Sequence, residues 1–181
     1  MITRLKSFAK NPDLTISGEQ NFINLLVLLS DRQAKISVDT IDIGEPVAVN
    51  DSEFSYNTEV ELTSKPGANF CGKTTFKYNR IDLRQYNKPE FVLDIPLLQF
   101  SEGRVTDTDL EAYICKHFGL LRTDVEMHFD QCEADGLGSC WIKAKRSSLM
   151  YYRSFTLNFR QYTPVKTQDM MVIHEYIPLP G

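Results

Sequence analysis

Apolar residues recur along this chain with two different periods, and each change of period marks a new element. Phe22, Leu25, Leu26 and Leu29 stand at i, i+3, i+4 and i+7, one face of an amphipathic helix. Ser17 in front of them, with Gln20 three residues on, predicts a capping box in which Gln20 reaches back to the cap. The period then falls to two. Val38 and Thr40, followed by Ile41 and Ile43 in the other phase, predict one or two short strands closed by Gly44-Glu45-Pro46. Tyr56, Thr58, Val60 and Leu62 alternate with Asn57, Glu59 and Glu61, a strand with one buried and one wet face. Residues 74–83 supply its partner, with Phe76 and Tyr78 on one face and Thr75, Lys77 and Asn79 on the other. Lys65-Pro66-Gly67-Ala68-Asn69 makes the reversal, because glycine accepts the positive φ of a type II turn.

The series then occurs again. Thr108-Asp109-Leu110-Glu111 predicts a second capping box, and Leu110, Ile114 and Phe118, widened by Tyr113 and His117, predict a second helix. Gly119 sits where a helix-ending glycine belongs. Val125, Met127 and Phe129 alternate with Glu126, His128 and Asp130. After a glycine-rich loop over 131–139, strands are predicted over 140–146 and 153–162, with Phe155, Leu157 and Phe159 facing inward. Thr75-Phe76-Lys77-Tyr78-Asn79-Arg80 resembles Thr156-Leu157-Asn158-Phe159-Arg160 with one residue dropped, although identities are few.

These patterns predict an α+β fold of two similar helix-plus-antiparallel-hairpin units packed together, with extended N- and C-terminal segments. The expected division is an arm over 1–16, a first unit over 17–83, a connecting segment over 84–105, a second unit over 106–162 and a tail over 163–181. The connecting segment, broken at Asn87-Lys88-Pro89 and Ile95-Pro96, is expected to pack across the sheet or between the units. The tail reads as an extended segment that adds a strand, here or on a partner.

With 181 residues, 42% hydrophobic and 24% charged, the chain supports a normal core in one domain or two small ones. Its net charge of -4 argues against a general phosphate-backbone binder, so no direct nucleic-acid binding is expected. Lys143, Lys145 and Arg146 lie close together, but on a strand Lys143 and Lys145 share one solvated face. The basic start, Met1 to Lys6, is followed by no apolar stretch of an export signal. The most apolar run, residues 22–29, falls far short of the roughly 20 residues that cross a bilayer. No membrane association is therefore expected.

Candidate chemistry is sparse. Cys71, Cys115, Cys132 and Cys140 lack CxxC spacing and read as free thiols in a reducing cytosol. A zinc reading would recruit Cys115, His117, Cys132 and Cys140, and a Cys132–Cys140 link would need an oxidising environment. His117, His128 and His174 fall on separate elements. A Cys115/His117 nucleophile pair fails because residues two apart on a helix point about 200° apart. Glu59 and Glu61 share a wet strand face, and Asp107 and Asp109 suit the positive end of a helix. No catalytic, cofactor or metal residue is assigned, and the chain reads as a non-enzyme. Tyr78, Asn79 and Arg80 stand apart: strong polar groups at a strand end predict a structural latch, with Arg80 paired to an acid of a neighbouring element. The alternative is an exposed contact to a partner.

Gly44-Glu45-Pro46, Asn57-Thr58-Glu59-Val60, Lys65-Pro66-Gly67, Phe70-Cys71-Gly72 and the run Tyr78-Asn79-Arg80-Ile81-Asp82-Leu83 carry a family likeness. Together they resemble a domain found in virion structural proteins of large tailed bacteriophages. The resemblance covers residues 20–83 best, and the second unit resembles the partner half of that domain. It implies a non-enzymatic particle component in tail, neck or baseplate, ahead of capsid, with other virion proteins and copies of itself as partners. The implied location is the virion, and the host cytoplasm during assembly. A soluble phage-encoded module that binds a host protein is the alternative, and an enzyme centred on Cys115 or the Asp135 loop is a further one. The resemblance transfers no binding residue.

Overall fold

The computed structural model describes residues 12–30, 35–50, 55–96, 106–130 and 137–162, and over these the fold is α+β. The first helix, α1 (Gly18–Leu29), buries Phe22, Ile23, Leu25 and Leu26, while Leu29, the last position of the predicted stripe, is only partly covered. Ser17 Oγ accepts from Gln20 N–H at 3.1 Å, as a cap should. The Gln20 side chain does not reach back; it bonds Asn24 one turn on.

Four antiparallel strands follow: β1 (Ile41–Ile43), β2 (Val47–Ala48), β3 (Thr58–Ser64) and β4 (Lys73–Tyr78). In this sheet β3 is central, with β4 along one edge and β1 and β2 end to end along the other. Its inward residues, Val60 and Tyr78, meet Phe22 of α1, whose ring lies 5.0 Å from that of Tyr78. Pro66-Gly67 turns the chain as the sequence requires: Gly67 takes φ +87° and Ala68 N–H donates to Lys65 O at 3.2 Å.

The chain then runs through β5 (Ile81–Asp82), a 3-10 turn over Leu83–Tyr86, β6 (Val92–Pro96), α2 (Asp107–Phe118), a 3-10 turn over Arg122–Asp124, β7 (Val125–Phe129), β8 (Leu137–Ala144), β9 (Tyr151–Tyr152) and β10 (Ser154–Tyr162). The second sheet has the order β6-β10-β8-β7. Here the expectation for the connecting segment needs revision. Part of it enters the plane of the sheet as β6, parallel to β10, with Leu93 and Ile95 inward. Pro96 closes this edge strand, where a missing N–H costs nothing in the ladder. The N-cap of α2 is Thr106, two residues before the predicted one, and it forms a reciprocal capping box with Asp109. Gly119 ends the helix at φ +64°. Leu110, Ile114 and Cys115 of α2 pack on the inward row Phe155, Leu157 and Phe159, so Cys115 is buried.

The two sheets share their hydrogen-bond register. Ile41 faces Ser64 and Val125 faces Ala144. Lys65 N–H donates to Thr40 O at 2.9 Å, and Lys145 N–H donates to Asp124 O at 3.0 Å. Ser64 N–H reaches Gly72 O at 3.0 Å, and Ala144 N–H reaches Arg153 O at 2.9 Å. Gly72 and Arg153 both take positive φ, +105° and +69°.

Of the predicted N-terminal arm, residues 12–16 form a turn tied to α1, where Asn21 bonds both the N–H and the C=O of Asp13. Residues 1–11, the Asp135 loop over 131–136 and the tail over 163–181 lie outside the described residues.

Near the seam between the sheets α1 approaches Asp124 closely. A Cβ added at Gly18 would meet Asp124 Oδ1 at 2.6 Å and Cγ at 2.7 Å, inside van der Waals contact. Asp124 cannot simply swing aside, since Ser148 Oγ and Thr123 Oγ1 both bond its carboxylate. Gly18→Ala is therefore expected to cost about 1–3 kcal/mol through overpacking, although alanine is intrinsically the better helix former. Urea titration checks this, and a neutral or stabilising result would refute it.

Candidate functional site

The residues singled out by sequence, Tyr78, Asn79 and Arg80, stand at the end of β4 where the first sheet meets the second. Alternation turns Tyr78 inward, and its Oη donates to Leu149 O at 2.9 Å. Burial raises the Tyr78 phenol well above its ordinary pKa, with the Arg80 charge acting weakly the other way. Asn79 Oδ1 accepts from Asn57 N–H at 2.9 Å, while the Asn57 side chain bonds both the N–H and the C=O of Arg80. This exchange of side-chain amide bonds fixes the backbone on either side of Arg80.

Arg80 itself is only 8% exposed. Its Nε donates to Thr58 Oγ1 at 2.9 Å, and its Nη1 donates to the carbonyls of Ser148 and Tyr151 at 3.0 and 3.3 Å. The expected acid is not found among the described residues. The acceptors are a hydroxyl and two main-chain carbonyls, Ser148 in the turn between β8 and β9 and Tyr151 at the start of β9, so dipoles and not an opposite charge hold the guanidinium. Burial accordingly lowers the Arg80 pKa, with the Tyr78 and Tyr152 phenols acting the other way.

The same seam carries a short parallel ladder between β5 and β9, and Ile81 N–H donates to Met150 O at 2.7 Å. Leu149, from the second sheet's turn, packs into the core beneath α1. Asp82 gathers three groups: Arg84 and Arg153, each at 2.8 Å, and the Tyr152 hydroxyl at 3.3 Å. The Tyr152 ring has Arg80 on it at 5.7 Å and Arg153 at 4.8 Å. Ser148 and Tyr151 were not anticipated from sequence. No local pattern identifies a carbonyl that will accept from a distant arginine.

Beside this seam lies a cleft of about 870 Å³ lined by Asn57, Arg80, Lys145, Arg146, Tyr152 and Arg153, among others. Of the sequence-noted basic cluster, Lys145 and Arg146 reach it. Lys143 does not; it lies over the ring of Trp141 on the outer sheet face, 5.6 Å from its centroid. A second, apolar groove of about 390 Å³ runs between the end of α1 and β4, lined by Leu26, Leu29, Ile36, Leu62, Phe70 and Phe76.

The other candidates disperse. Cys115 and Cys140 are buried in the core of the second unit, where burial pushes their thiols up to about 11 and about 12. Cys71 is exposed, and Cys132 and His174 lie outside the described residues. His117 stacks against Phe91 at 6.1 Å, and His128 against Trp141 at 5.5 Å. Glu61 pairs with Lys73 at 2.9 Å. Among the described residues no three His, Cys, Asp or Glu side chains are placed to hold a metal ion, and no helix is long and apolar enough to cross a membrane.

A family described only as of unknown function matches the chain over residues 19–172. No curated protein and no solved structure matches. The family match spans α1, both sheets and the seam between them, and the chain belongs to this family of unknown function (DUF7941).

Proposed function

We propose that the chain is a structural component of a tailed-bacteriophage virion, in tail, neck or baseplate ahead of capsid, acting through protein–protein contacts in a symmetric assembly. In this reading the two sheets with their helices are similar units packed as one body, and their shared register supports that view. The latch role falls to Tyr78, Asn79 and Arg80: bonds from Tyr78 and Arg80 cross from the first sheet to residues 148–151, and Asn79 holds Asn57 beside them.

One observation carries the contact role. The face of the second sheet turned away from α2 leaves Val92, Leu137, Trp141 and Tyr162 exposed, all in one register phase. Trp141, 41% exposed, is an expensive residue to leave in water and the type most enriched where proteins meet. The sequence resemblance to phage virion domains supplies the kind of assembly. The alternative reading, a phage-encoded module that binds a host protein, uses the same surface.

Mass spectrometry of purified particles separates them. A virion component is expected in the particles at fixed stoichiometry and is retained after high-salt washing. Its consistent absence from particles would overturn the reading and favour the host-directed module.

A further inference from the structure

Arg80 holds a charge that the described residues do not neutralise. A guanidinium has five N–H donors; here Nε serves Thr58 and Nη1 serves two carbonyls, which leaves both donors of Nη2 without an acceptor among the described residues. Every fully buried side-chain nitrogen or oxygen there has a partner, so Nη2 reaches accessible surface. The surface that Arg80 lines is the cleft between the sheets.

The rest of the cleft has the same sign. Lys145, Arg146 and Arg153 line it, and none of its described lining residues is acidic, in a chain whose net charge is -4. The acids that pair with Arg146 and Arg153 are Glu45, at 3.1 Å, and Asp82, at 2.8 Å, and neither lines the cleft. Arg153 adopts φ +69°, where the corresponding turn of the first sheet has Gly72. A side chain is thus kept at a backbone position that favours glycine, at a residue that lines the cleft.

We infer that this cleft is a docking site for an acidic segment of a partner protein, with one carboxylate received by Arg80 Nη2 and its neighbours by Lys145, Arg146 and Arg153. A planar guanidinium fixed by three bonds is already oriented for a carboxylate, so little side-chain entropy is lost on binding. A nucleic-acid backbone fits less well, since a confined cleft on an acidic protein offers no extended basic track. The inference rests on reading the chain as a protein-contact module, but not on its presence in particles.

Fluorescence anisotropy on the isolated full-length chain tests it, with labelled hexaglutamate as probe and hexaglutamine as control. Saturable binding of hexaglutamate alone is expected. Lys145→Ala and Arg146→Ala are each expected to weaken it by about twofold to fivefold at low salt, while Lys116→Ala and Lys143→Ala, which remove the same charge elsewhere, leave it unchanged. In nitrogen-15 spectra the Arg80 side-chain signals, assigned with Arg80→Lys, should move on titration. No saturable binding, or equal weakening by the Lys116 and Lys143 variants, would overturn the inference. So would tighter binding of oligothymidylate than of hexaglutamate, which would indicate a nucleic-acid site. Failure of peptide binding leaves the particle test untouched, and absence from particles leaves this assay untouched.

Discussion

Replacing Arg80 with methionine is expected to remove about 2–4 kcal/mol of folding stability. Methionine fills much of the same volume but donates nothing. The change strands Thr58 Oγ1 and the carbonyls of Ser148 and Tyr151 in a buried seam and removes a cation from the Tyr152 ring. Hydrogen bonds from a charged donor are worth about 1.5–3 kcal/mol each. Three of them do not sum to that figure here, because the lost guanidinium also stops paying its desolvation cost, the same cost that lowers its pKa. Arg80→Lys keeps the charge but not the fork, and should recover less than half of the loss. Because two of the acceptors lie in the segment that links β8 and β10 of the second sheet, Arg80→Met should also loosen the coupling between sheets, visible as a broadened or split urea transition. A loss below about 1 kcal/mol in a single sharp transition would show that the seam is held by Leu149 and the β5–β9 ladder instead.

Alkaline titration should destabilise the protein on a similar scale. Burial raises the Cys115 thiol from 9.0 to about 11 and the Cys140 thiol from 9.0 to about 12. In the unfolded chain both ionise near 9.0, whereas in the folded chain they stay neutral. The stability they contribute is complete below pH 9 and declines as pH rises through the interval between unfolded and folded values. By pH 11 the two together account for a loss on the order of 4–5 kcal/mol. Tyr78 and Tyr151, also raised by burial, act in the same direction above the ordinary phenol range. Urea unfolding in the presence of reductant at stepped pH would measure this. A Cys115→Ala/Cys140→Ala variant starts less stable but should show a flatter decline between pH 9 and 10, before the tyrosines contribute. An identical slope in the variant would disprove the assignment.

Much of the fold was legible from short-range pattern. The stripe from Phe22 to Leu29, the alternation of Thr58 to Leu62 and the row Phe155, Leu157 and Phe159 all point inward as their periods require. The errors have particular causes. Residues 84–105 looked like a packed connection because two prolines interrupt the apolar run, yet Val92–Pro96 is an edge strand, a place that tolerates proline. Thr108 has the same capping power as Thr106, two positions earlier, and both lead into the same helix, so local pattern does not choose between them. The candidate site was half legible. Tyr78, Asn79 and Arg80 stood out as strong polar groups at a strand end, and the cluster at Lys145 and Arg146 was noticed, but nothing joined the two.

The sequence by itself determined the helices, most strands, the Pro66-Gly67 turn and the glycine that ends α2. Each of these depends on side chains a few residues apart competing for one face or one backbone bond. Only the tertiary structure decided that Arg80 would be buried with no carboxylate partner among the described residues, that Asp124 would press against Gly18, and that Lys145 and Arg153 would share a cleft with Arg80. Main-chain carbonyls are the same at every residue, so an arginine that relies on them leaves no complementary residue in the sequence to find. Desolvation, likewise, belongs to the packed whole and to no segment of it.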